Sequence, residues 1–200
     1  MRIDDIALIV LASGLSRRFE SGDKLMAPLQ GLPLCAHIAD TLGRGGFATR
    51  IAVYPSNTPA RREVFHAAGF ECVANVDPAA GQGASLALGA KAVSAETIKG
   101  VMVVLADMPF IGLRHCEALI SSIGDAPVAV SVANGVQTPP VLFAGSTIER
   151  LGALSGDEGA KSVLRDLPFV AEIDLDPAAA FDIDTVADLV RAEAMMEAAA

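Results

Sequence analysis

A stretch rich in glycine and basic side chains follows the apolar run of residues 6–11, IALIVL. It covers residues 11–24, LASGLSRRFESGDK, and contains Gly14, Arg18 and Lys24. Glycine lets the backbone turn tightly and present its N–H groups to anionic oxygens. Arginine binds phosphate through two donors, and lysine adds a compact positive charge. A strand, a glycine turn and basic side chains in this order therefore indicate binding of a nucleoside triphosphate.

The same stretch lacks the two commonest nucleotide-binding patterns. It contains no GxxxxGK[ST], and no GxGxxG follows the apolar run. Taken alone, these residues are also compatible with a solvated surface loop whose basic side chains face water.

A carboxylate ends the most hydrophobic predicted strand, residues 101–106, which Asp107 follows directly. In an open parallel sheet, ligands bind outside the carboxyl ends of the strands, so Asp107 is expected in one crevice with the basic stretch. A carboxylate there suits Mg²⁺, which takes one or two protein carboxylates and fills its remaining positions with water and phosphate oxygens. The alternative is an aspartate that makes a turn before Pro109.

Two further carboxylates, Asp182 and Asp184, lie two residues apart near the end of the sequence. Alternate residues of an extended segment point the same way, so both carboxylates can reach one ion. Asp184 is alternatively the cap of the last predicted helix, and the two roles are compatible.

Strands alternate with helices along the chain, which predicts an α/β fold: a Rossmann-like, doubly wound, mostly parallel sheet with helices on both faces. The predicted strands are residues 6–11, 51–54, 70–76, 101–106, 128–132, 140–143 (a short or edge strand) and 170–173. The predicted helices are residues 33–42, 60–68, 84–94, 112–123, 147–151, 160–167 and 185–199.

Composition limits the classes of function. The 200 residues, 52% of them hydrophobic, are expected to form one domain, residues 1–200. With a net charge of −9, no nucleic acid partner is expected. The three cysteines and three histidines lack the spacing of a disulfide framework or metal site. Without an apolar run of ~20 residues or a signal-peptide pattern, the expectation is a cytoplasmic protein with no membrane partner.

The basic stretch resembles the signature loop of the molybdopterin nucleotidyltransferases, the MobA-like NTP transferase family, roughly L-A-[AG]-G-x-S-x-R-[MF]-G-x-x-x-K. The matching residues are Leu11, Ala12, Gly14, Ser16, Arg18, Phe19 and Lys24. Two positions depart from the pattern. Ser13 stands where cytidylyl-transferring members usually have Ala and guanylyl-transferring members Gly. Glu20 stands where Gly is usual.

Later segments resemble the cytidylyl-transferring, MocA-like members more closely. Residues 81–89, GQGASLALG, are similar to G-M-x-x-S-L-x-x-G rather than to the guanylyl members' G-P-L-A-G. Residues 137–143, 156–161 and 182–185 resemble G-x-P-V-L-F, G-D-x-G-A-[RK] and D-I-D-T. Without the resemblance, residues 81–89 are an ordinary helix start that contains glycines, and residues 137–143 and 156–161 are irregular segments that cross the surface.

The resemblance implies transfer of CMP from CTP to molybdopterin with release of pyrophosphate and with Mg²⁺ as the cofactor. It implies catalytic roles for Arg18, Lys24 and Asp107, and metal binding by Asp107 and Asp184. The implied nucleotide-binding residues are Leu11, Ala12, Ser13, Gly14, Ser16, Arg18, Lys24, Gly83, Ser85 and Asp107. The N-terminal half would bind the NTP and the C-terminal half the acceptor, with Lys161 near the acceptor's phosphate.

Several alternatives remain open. Asn57, Asn75 and Asp77 follow predicted strands and are candidates to contact the nucleobase, although these residue types are common in turns. The reaction is alternatively guanylyl transfer to the same acceptor, or cytidylyl or uridylyl transfer to a sugar phosphate or isoprenoid precursor. A different class of function is a non-catalytic maturation partner that hands the cofactor to an apo-molybdoenzyme. Glu20, a negative charge within the basic stretch, would support this alternative.

Overall fold

The computed structural model describes residues 1–93, 97–157, 159–167 and 169–198. The strands are β1 Ile6–Leu11, β2 Pro28–Leu29, β3 Leu32–Pro33, β4 Thr49–Pro55, β5 Glu71–Asn75, β6 Gly100–Leu105, β7 Val128–Ala133, β8 Val136–Ala144 and β9 Ala171–Asp174. The helices are α1 Leu34–Gly43, α2 Pro59–Ala67, α3 Gln82–Ala92, α4 Leu113–Ser122, α5 Ile148–Gly152, α6 Gly159–Arg165 and α7 Val186–Ala198. None of the described helices is long and apolar enough to cross a membrane.

A seven-stranded sheet organises these elements in the order β5-β4-β1-β6-β8-β7-β9. Strands β5, β4, β1 and β6 are parallel, β8 runs antiparallel to both of its neighbours, and β9 is parallel to β7. The predicted mostly parallel α/β fold is confirmed.

Apolar side chains project from both faces of the sheet into a core on each side, which explains the unbroken hydrophobic run of β1. Ile6, Leu8 and Val10 belong to a core that also contains residues of α1 and α4. Ala7, Ile9 and Leu11 belong to a second core, which contains residues of α3, α5 and α6. The helices therefore cover both faces, as predicted.

Strand β8 differs from the short or edge strand predicted at residues 140–143. It spans Val136–Ala144 and lies inside the sheet between β6 and β7. Val141 pairs with Val130, but the next pair is Thr138 with Ser131, so the register shifts at Pro139 and Pro140. Proline has no N–H to donate, and a bulge accommodates it within a sheet.

The ends of the other elements lie close to their predicted positions. The end of α3 predicted at Ser94 and that of α7 predicted at Ala199 lie outside the described residues. Before α7, the Thr185 and Asp188 side chains each accept a hydrogen bond from the other's backbone N–H, which is the pattern of a capping box. The β2–β3 hairpin was not predicted, because its two-residue strands are too short for a periodic pattern.

Candidate active site

The loop after β1 and the residue after β6 meet at one end of the sheet. The two strands are parallel neighbours, and their last residues, Leu11 and Leu105, are paired. A cleft of about 380 Å³ opens at this point. Its lining includes Leu11, Ser13, Gly14, Ser16, Arg18, Lys24, Pro78, Gly81, Gln82, Ser85, Asp107, Asp157 and Asp184. The crevice expected from the strand order is therefore present.

Local hydrogen bonds hold the loop that carries Lys24. The Ser16 hydroxyl accepts a hydrogen bond from the Lys24 backbone N–H at 3.1 Å, and Ser16 itself has a positive φ of 53°. The Asp23 carboxylate accepts from the Leu25 N–H at 3.0 Å and so starts a 3₁₀ turn at Lys24–Met26. Phe19 is buried and anchors the middle of the loop. The backbone of Lys24 is thus fixed from both sides.

Lys24 lies between two carboxylates that belong to distant parts of the sequence. Its Nζ is 2.7 Å from Asp107 Oδ2 and 3.0 Å from Asp184 Oδ1, and the residue is only 7% exposed. Burial acts to lower the pKa of Lys24, but the Asp107 and Asp184 carboxylates outweigh it and raise the pKa overall. Arg18, which is largely exposed, donates to the other oxygen of Asp184 at 2.8 Å.

A backbone hydrogen bond holds the two carboxylates side by side. The Ile183 N–H donates to the Asp107 carbonyl oxygen at 3.1 Å, which places the segment before α7 against the end of β6. Asp182 instead lines a neighbouring cavity. Desolvation raises the pKa of the Asp182 carboxyl, and the Asp107 and Asp184 charges raise it further. Of the pair of alternate aspartates, therefore, Asp184 contacts the Lys24–Asp107 cluster.

The Asp107–Asp184 pair fits a divalent cation that also binds phosphate. Asp107 Oδ1 is buried and has no hydrogen-bond partner among the described residues, although buried polar atoms are normally paired. Within the described ranges, no group of three or more His, Cys, Asp or Glu residues is arranged for a metal. Two carboxylates are the protein ligands that Mg²⁺ ordinarily takes beside phosphate oxygens and water.

Two of the predicted nucleotide-binding residues do not line the cleft. The Ala12 N–H donates to the Val53 carbonyl oxygen at 2.8 Å, and the Ala12 carbonyl oxygen accepts from Arg61 at 2.6 Å. The Gly83 N–H donates to the Gly156 carbonyl oxygen at 2.8 Å. The lining contains the others: Leu11, Ser13, Gly14, Ser16, Arg18, Lys24, Ser85 and Asp107.

The glycines of residues 81–89 have packing roles. A Cβ on Gly83 would lie 2.8 Å from the carbonyl oxygens of both Ser155 and Gly156. The start of α3 therefore packs closely against the backbone of those two residues. Ser85 lines the cleft, donates to the Gly81 carbonyl oxygen and accepts from Asn75.

The candidate nucleobase contacts at residues 57, 75 and 77 lie outside the cleft lining. Asn75 is 2% exposed and supports Ser85, while Asn57 and Asp77 are exposed. Glu20 is also exposed and lies outside the lining.

Arg61 is the functional candidate that sequence reasoning missed. It is 3% exposed and donates hydrogen bonds to the loop between β1 and Lys24. The available signal was its position four residues before Phe65, which places an arginine on the buried face of helix α2.

A second cavity of about 630 Å³ adjoins the first and shares Leu11, Gln82 and Leu105 with it. Its wall is mostly apolar, and its polar lining residues are Gln82, Gln137, Thr138, Lys161, Arg165 and Asp182. Two segments singled out in the sequence, residues 137–143 and 156–161, both contribute to this wall.

Comparisons with known proteins identify the family of this chain. Residues 8–172 match the MobA-like NTP transferase domain family. The curated nicotine blue oxidoreductase of Paenarthrobacter nicotinovorans is 27% identical over 193 residues, which cover 92% of this chain and 94% of that protein.

Solved structures share the fold. Rv0371c from Mycobacterium tuberculosis H37Rv, in complex with manganese, superposes with a TM-score of 0.78 at 23% identity over 94% of this chain and 98% of that one. A nucleotidyl transferase from Methanothermobacter thermautotroptrophicus reaches 0.83 at 17% identity over 98% and 99%. Because the family match spans most of its 200 residues, the chain belongs to the MobA-like NTP transferase domain family and is a nucleotidyltransferase of that family.

Proposed function

We propose that this nucleotidyltransferase moves CMP from CTP to molybdopterin with release of pyrophosphate and with Mg²⁺ as the cofactor. The observation that carries the proposal is the cleft in which Arg18 and Lys24 meet Asp107 and Asp184, beside a larger cavity for an acceptor. Cations for a triphosphate, carboxylates for a metal ion and room for a second substrate thus lie next to one another.

Binding of the triphosphate requires the cationic side chains to change partners. Lys24 and Arg18 neutralise Asp107 and Asp184 in the free protein. In the proposed complex, they turn to the β- and γ-phosphates and stabilise the charge that grows on the leaving pyrophosphate. The carboxylates are then free to hold Mg²⁺, which when bound would neutralise phosphate oxygens around the reacting phosphorus.

The transfer itself needs positioning more than a protein nucleophile. An oxygen of the acceptor's phosphate attacks the α-phosphorus of CTP, and the bond from that phosphorus to the pyrophosphate oxygen breaks. No general base is needed, because the acceptor phosphate is already ionised. The shared wall of Leu11, Gln82 and Leu105 supports the proposal that donor and acceptor lie side by side.

The preference for CTP is supported by Ser13. Its hydroxyl donates to the Val53 carbonyl oxygen, and the buried side chain lines the cleft where guanylyl-transferring members have Gly. The extra atoms narrow this end of the cleft and favour a pyrimidine. The similarity of residues 81–89, 137–143, 156–161 and 182–185 to cytidylyl-transferring members supports the same donor.

Pyrophosphate release from each NTP tests the proposal. The protein is incubated with Mg²⁺, molybdopterin and CTP, GTP, UTP or ATP in turn, and phosphate is counted after pyrophosphatase treatment. We expect CTP to be used best, and only when molybdopterin is present. Preference for GTP would show guanylyl transfer, and turnover only with a sugar phosphate or isoprenoid precursor would replace the acceptor. Binding of molybdopterin without turnover would indicate a maturation partner.

A second candidate is favoured by the relative named nicotine blue oxidoreductase, which aligns with nearly the whole chain. In this alternative, the pyrophosphate of a nicotinamide dinucleotide lies on the basic loop. The reduced nicotinamide ring would give up its hydride to a ring compound in the mostly apolar second cavity, which would also take a proton from solvent, and the cofactor would leave in its oxidised form. The test is oxidation of NADH or NADPH in the presence of nicotine blue, measured as the loss of the absorbance of the reduced nicotinamide. Such oxidation would favour this candidate over nucleotidyl transfer.

A further inference from the structure

Arg61 contacts the loop of residues 11–24, here called the phosphate loop, without lining the cleft itself. Arg61 lies on α2 and is almost completely buried. Its guanidinium group donates to the Ala12 carbonyl oxygen at 2.6 Å and to the Gly14 carbonyl oxygen at 2.9 Å. It also donates to both carboxylate oxygens of Asp23, at 2.6 and 2.9 Å. One side chain therefore connects the start of the loop to the residue before Lys24.

The two carbonyl contacts determine which way the peptide groups of the loop face. In a trans peptide, the N–H points opposite to the C=O of the same peptide plane. With the Ala12 and Gly14 carbonyl oxygens turned to Arg61, the N–H groups of Ser13 and Leu15 point away from it. Ser13, Gly14 and Leu15 line the cleft. Arg61 thus turns backbone donors toward the place where an anionic ligand would lie.

The contact with Asp23 extends this control to Lys24. The same Asp23 carboxylate accepts the Leu25 N–H and starts the 3₁₀ turn at Lys24–Met26. A planar guanidinium matches a carboxylate through two parallel hydrogen bonds, which a lysine ammonium cannot reproduce. The orientation of Asp23, and with it the direction in which Lys24 leaves the loop, depends on that fork.

We propose that Arg61 is a positioning residue of the phosphate loop. It turns the N–H groups of Ser13 and Leu15 toward the triphosphate and, through Asp23, holds Lys24 in place. This inference rests on the proposed function, since it requires the cleft to bind an NTP. Arg61 touches no substrate in this scheme.

The test compares Arg61→Ala and Arg61→Lys with Arg62→Ala, an exposed arginine on the same helix. Calorimetry gives the Kd for CTP with Mg²⁺, and pyrophosphate release gives kcat and the KM values for CTP and acceptor. We expect both Arg61 variants to lose about 10- to 100-fold in kcat/KM for CTP, the scale of a misplaced reacting group, with the KM for acceptor unchanged. Added ethylguanidinium should restore part of the loss in Arg61→Ala.

A merely structural role predicts a different pattern. It would lower the thermal midpoint and the fraction of folded protein without a selective change in CTP parameters per folded molecule. Retention of CTP binding and kcat/KM within about threefold of the unmodified protein in both Arg61 variants, or an equal loss in Arg62→Ala, would overturn the proposal.

The test also separates this inference from the proposed function. Should Arg61→Ala not fold, Arg61→Lys and Asp23→Asn carry the comparison, because each keeps one partner of the ion pair and removes the fork. If the unmodified protein releases no pyrophosphate from any NTP, the proposed function is wrong. The Kd for CTP then decides on Arg61: a 10-fold or greater weakening, by about 1.4 kcal/mol, supports the positioning role, and an unchanged Kd contradicts it.

Discussion

Lys24 is a buried cation that two carboxylates stabilise. An isolated buried ammonium group is unfavourable, and here Asp107 and Asp184 offset that penalty. The same two carboxylates are the proposed metal ligands. In the free protein, the Lys24 ammonium group therefore supplies the positive charge that the metal ion would supply. Metal and triphosphate are therefore expected to bind together, the ion to the carboxylates and the phosphates to the released cations.

Lys24→Met tests this exchange. Removal of the ammonium group leaves Asp107 and Asp184 without their internal counter-ion, so we expect Mn²⁺ to bind more tightly when no nucleotide is present. Turnover should fall by about 10²- to 10³-fold, because a donor to the transition state is lost. Electron paramagnetic resonance of free Mn²⁺ measures the binding, and Lys99→Met, which removes an exposed lysine paired with Asp5, is the control. Unchanged or weaker Mn²⁺ binding would contradict the exchange.

Asp107→Asn tests the carboxylate itself. The substitution keeps the size of the side chain but removes the charge that the proposed metal needs, so turnover should fall by about 10²- to 10³-fold. The circular dichroism spectrum should stay that of the unmodified protein, since the residue lies at a loop rather than in a core. Asp125→Asn, at an exposed loop position, is the matched control. Near-normal turnover in Asp107→Asn would remove Asp107 from the catalytic assignment.

At the scale of elements, β8 shows how proline and packing together determine a strand. A short or edge strand was predicted at residues 140–143, but β8 lies inside the sheet, because a bulge opposite β7 accommodates Pro139 and Pro140, which have no N–H to donate. The β7–β8 turn contains Asn134 and Gly135, both with positive φ, as a tight hairpin requires. This hairpin places β8 antiparallel to both β6 and β7 and brings Gln137 and Thr138 to the second cavity.

A polar contact joins α4 to this hairpin. His115 Nε2 lies 2.7 Å from Ser131 Oγ on β7, and the Ser131 hydroxyl donates to the Pro140 carbonyl oxygen on β8 at 2.6 Å. Burial lowers the pKa of His115 below its ordinary value of 6.5. The folded protein therefore favours the neutral ring, whereas the unfolded chain takes up a proton on this residue more readily.

The stability of the protein should depend on pH through His115. Because its pKa is depressed in the folded state, its contribution is full above pH 6.5 and is lost as the pH falls through the folded-state pKa. We expect the free energy of unfolding to fall between pH 7.5 and 5.5 more in the unmodified protein than in His115→Gln. Urea denaturation of both proteins at the two pH values measures the difference. Equal losses in both would show that His115 does not contribute.

At the scale of the whole molecule, the two cavities adjoin at Leu11, Gln82 and Leu105, which β1, α3 and β6 supply. Parallel strands β1 and β6 end together, and α3 packs closely on β1: a Cβ on Gly89 would lie 2.8 Å from Ile9. The loops after these strands form the first cavity, and the antiparallel hairpin and α6 extend the second. The division of the chain into an N-terminal donor half and a C-terminal acceptor half stays a proposal.

Lys161→Ala tests the acceptor half. Lys161 is exposed and lines the second cavity, where the proposal places it near the acceptor's phosphate. Loss of one charged hydrogen bond should raise the KM for molybdopterin about 10-fold or more, while the KM for CTP stays unchanged. Lys91→Ala, on the exposed side of α3 and outside both linings, is the control. An increase in the KM for CTP instead would place Lys161 at the donor.

The local pattern of the sequence determined the elements and the type of chemistry. Alternation of apolar runs with helical spacing predicted the mostly parallel sheet, because burial on both faces of a strand leaves a continuous hydrophobic run. The rule that ligands bind beyond the carboxyl ends of parallel strands placed the loop of residues 11–24 in one crevice with Asp107. Both inferences need only neighbours in sequence and a general property of parallel sheets.

Only the tertiary structure decided which side chains meet. Lys24 contacts Asp107 and Asp184, 83 and 160 residues further along the chain, and Arg61 reaches back to Ala12 and Asp23. Such contacts depend on strand order and helix orientation, which leave no periodic signal in the sequence. The cations of the loop could therefore be predicted from the local sequence. Packing determined which carboxylates contact Lys24 and which arginine contacts the backbone of the loop.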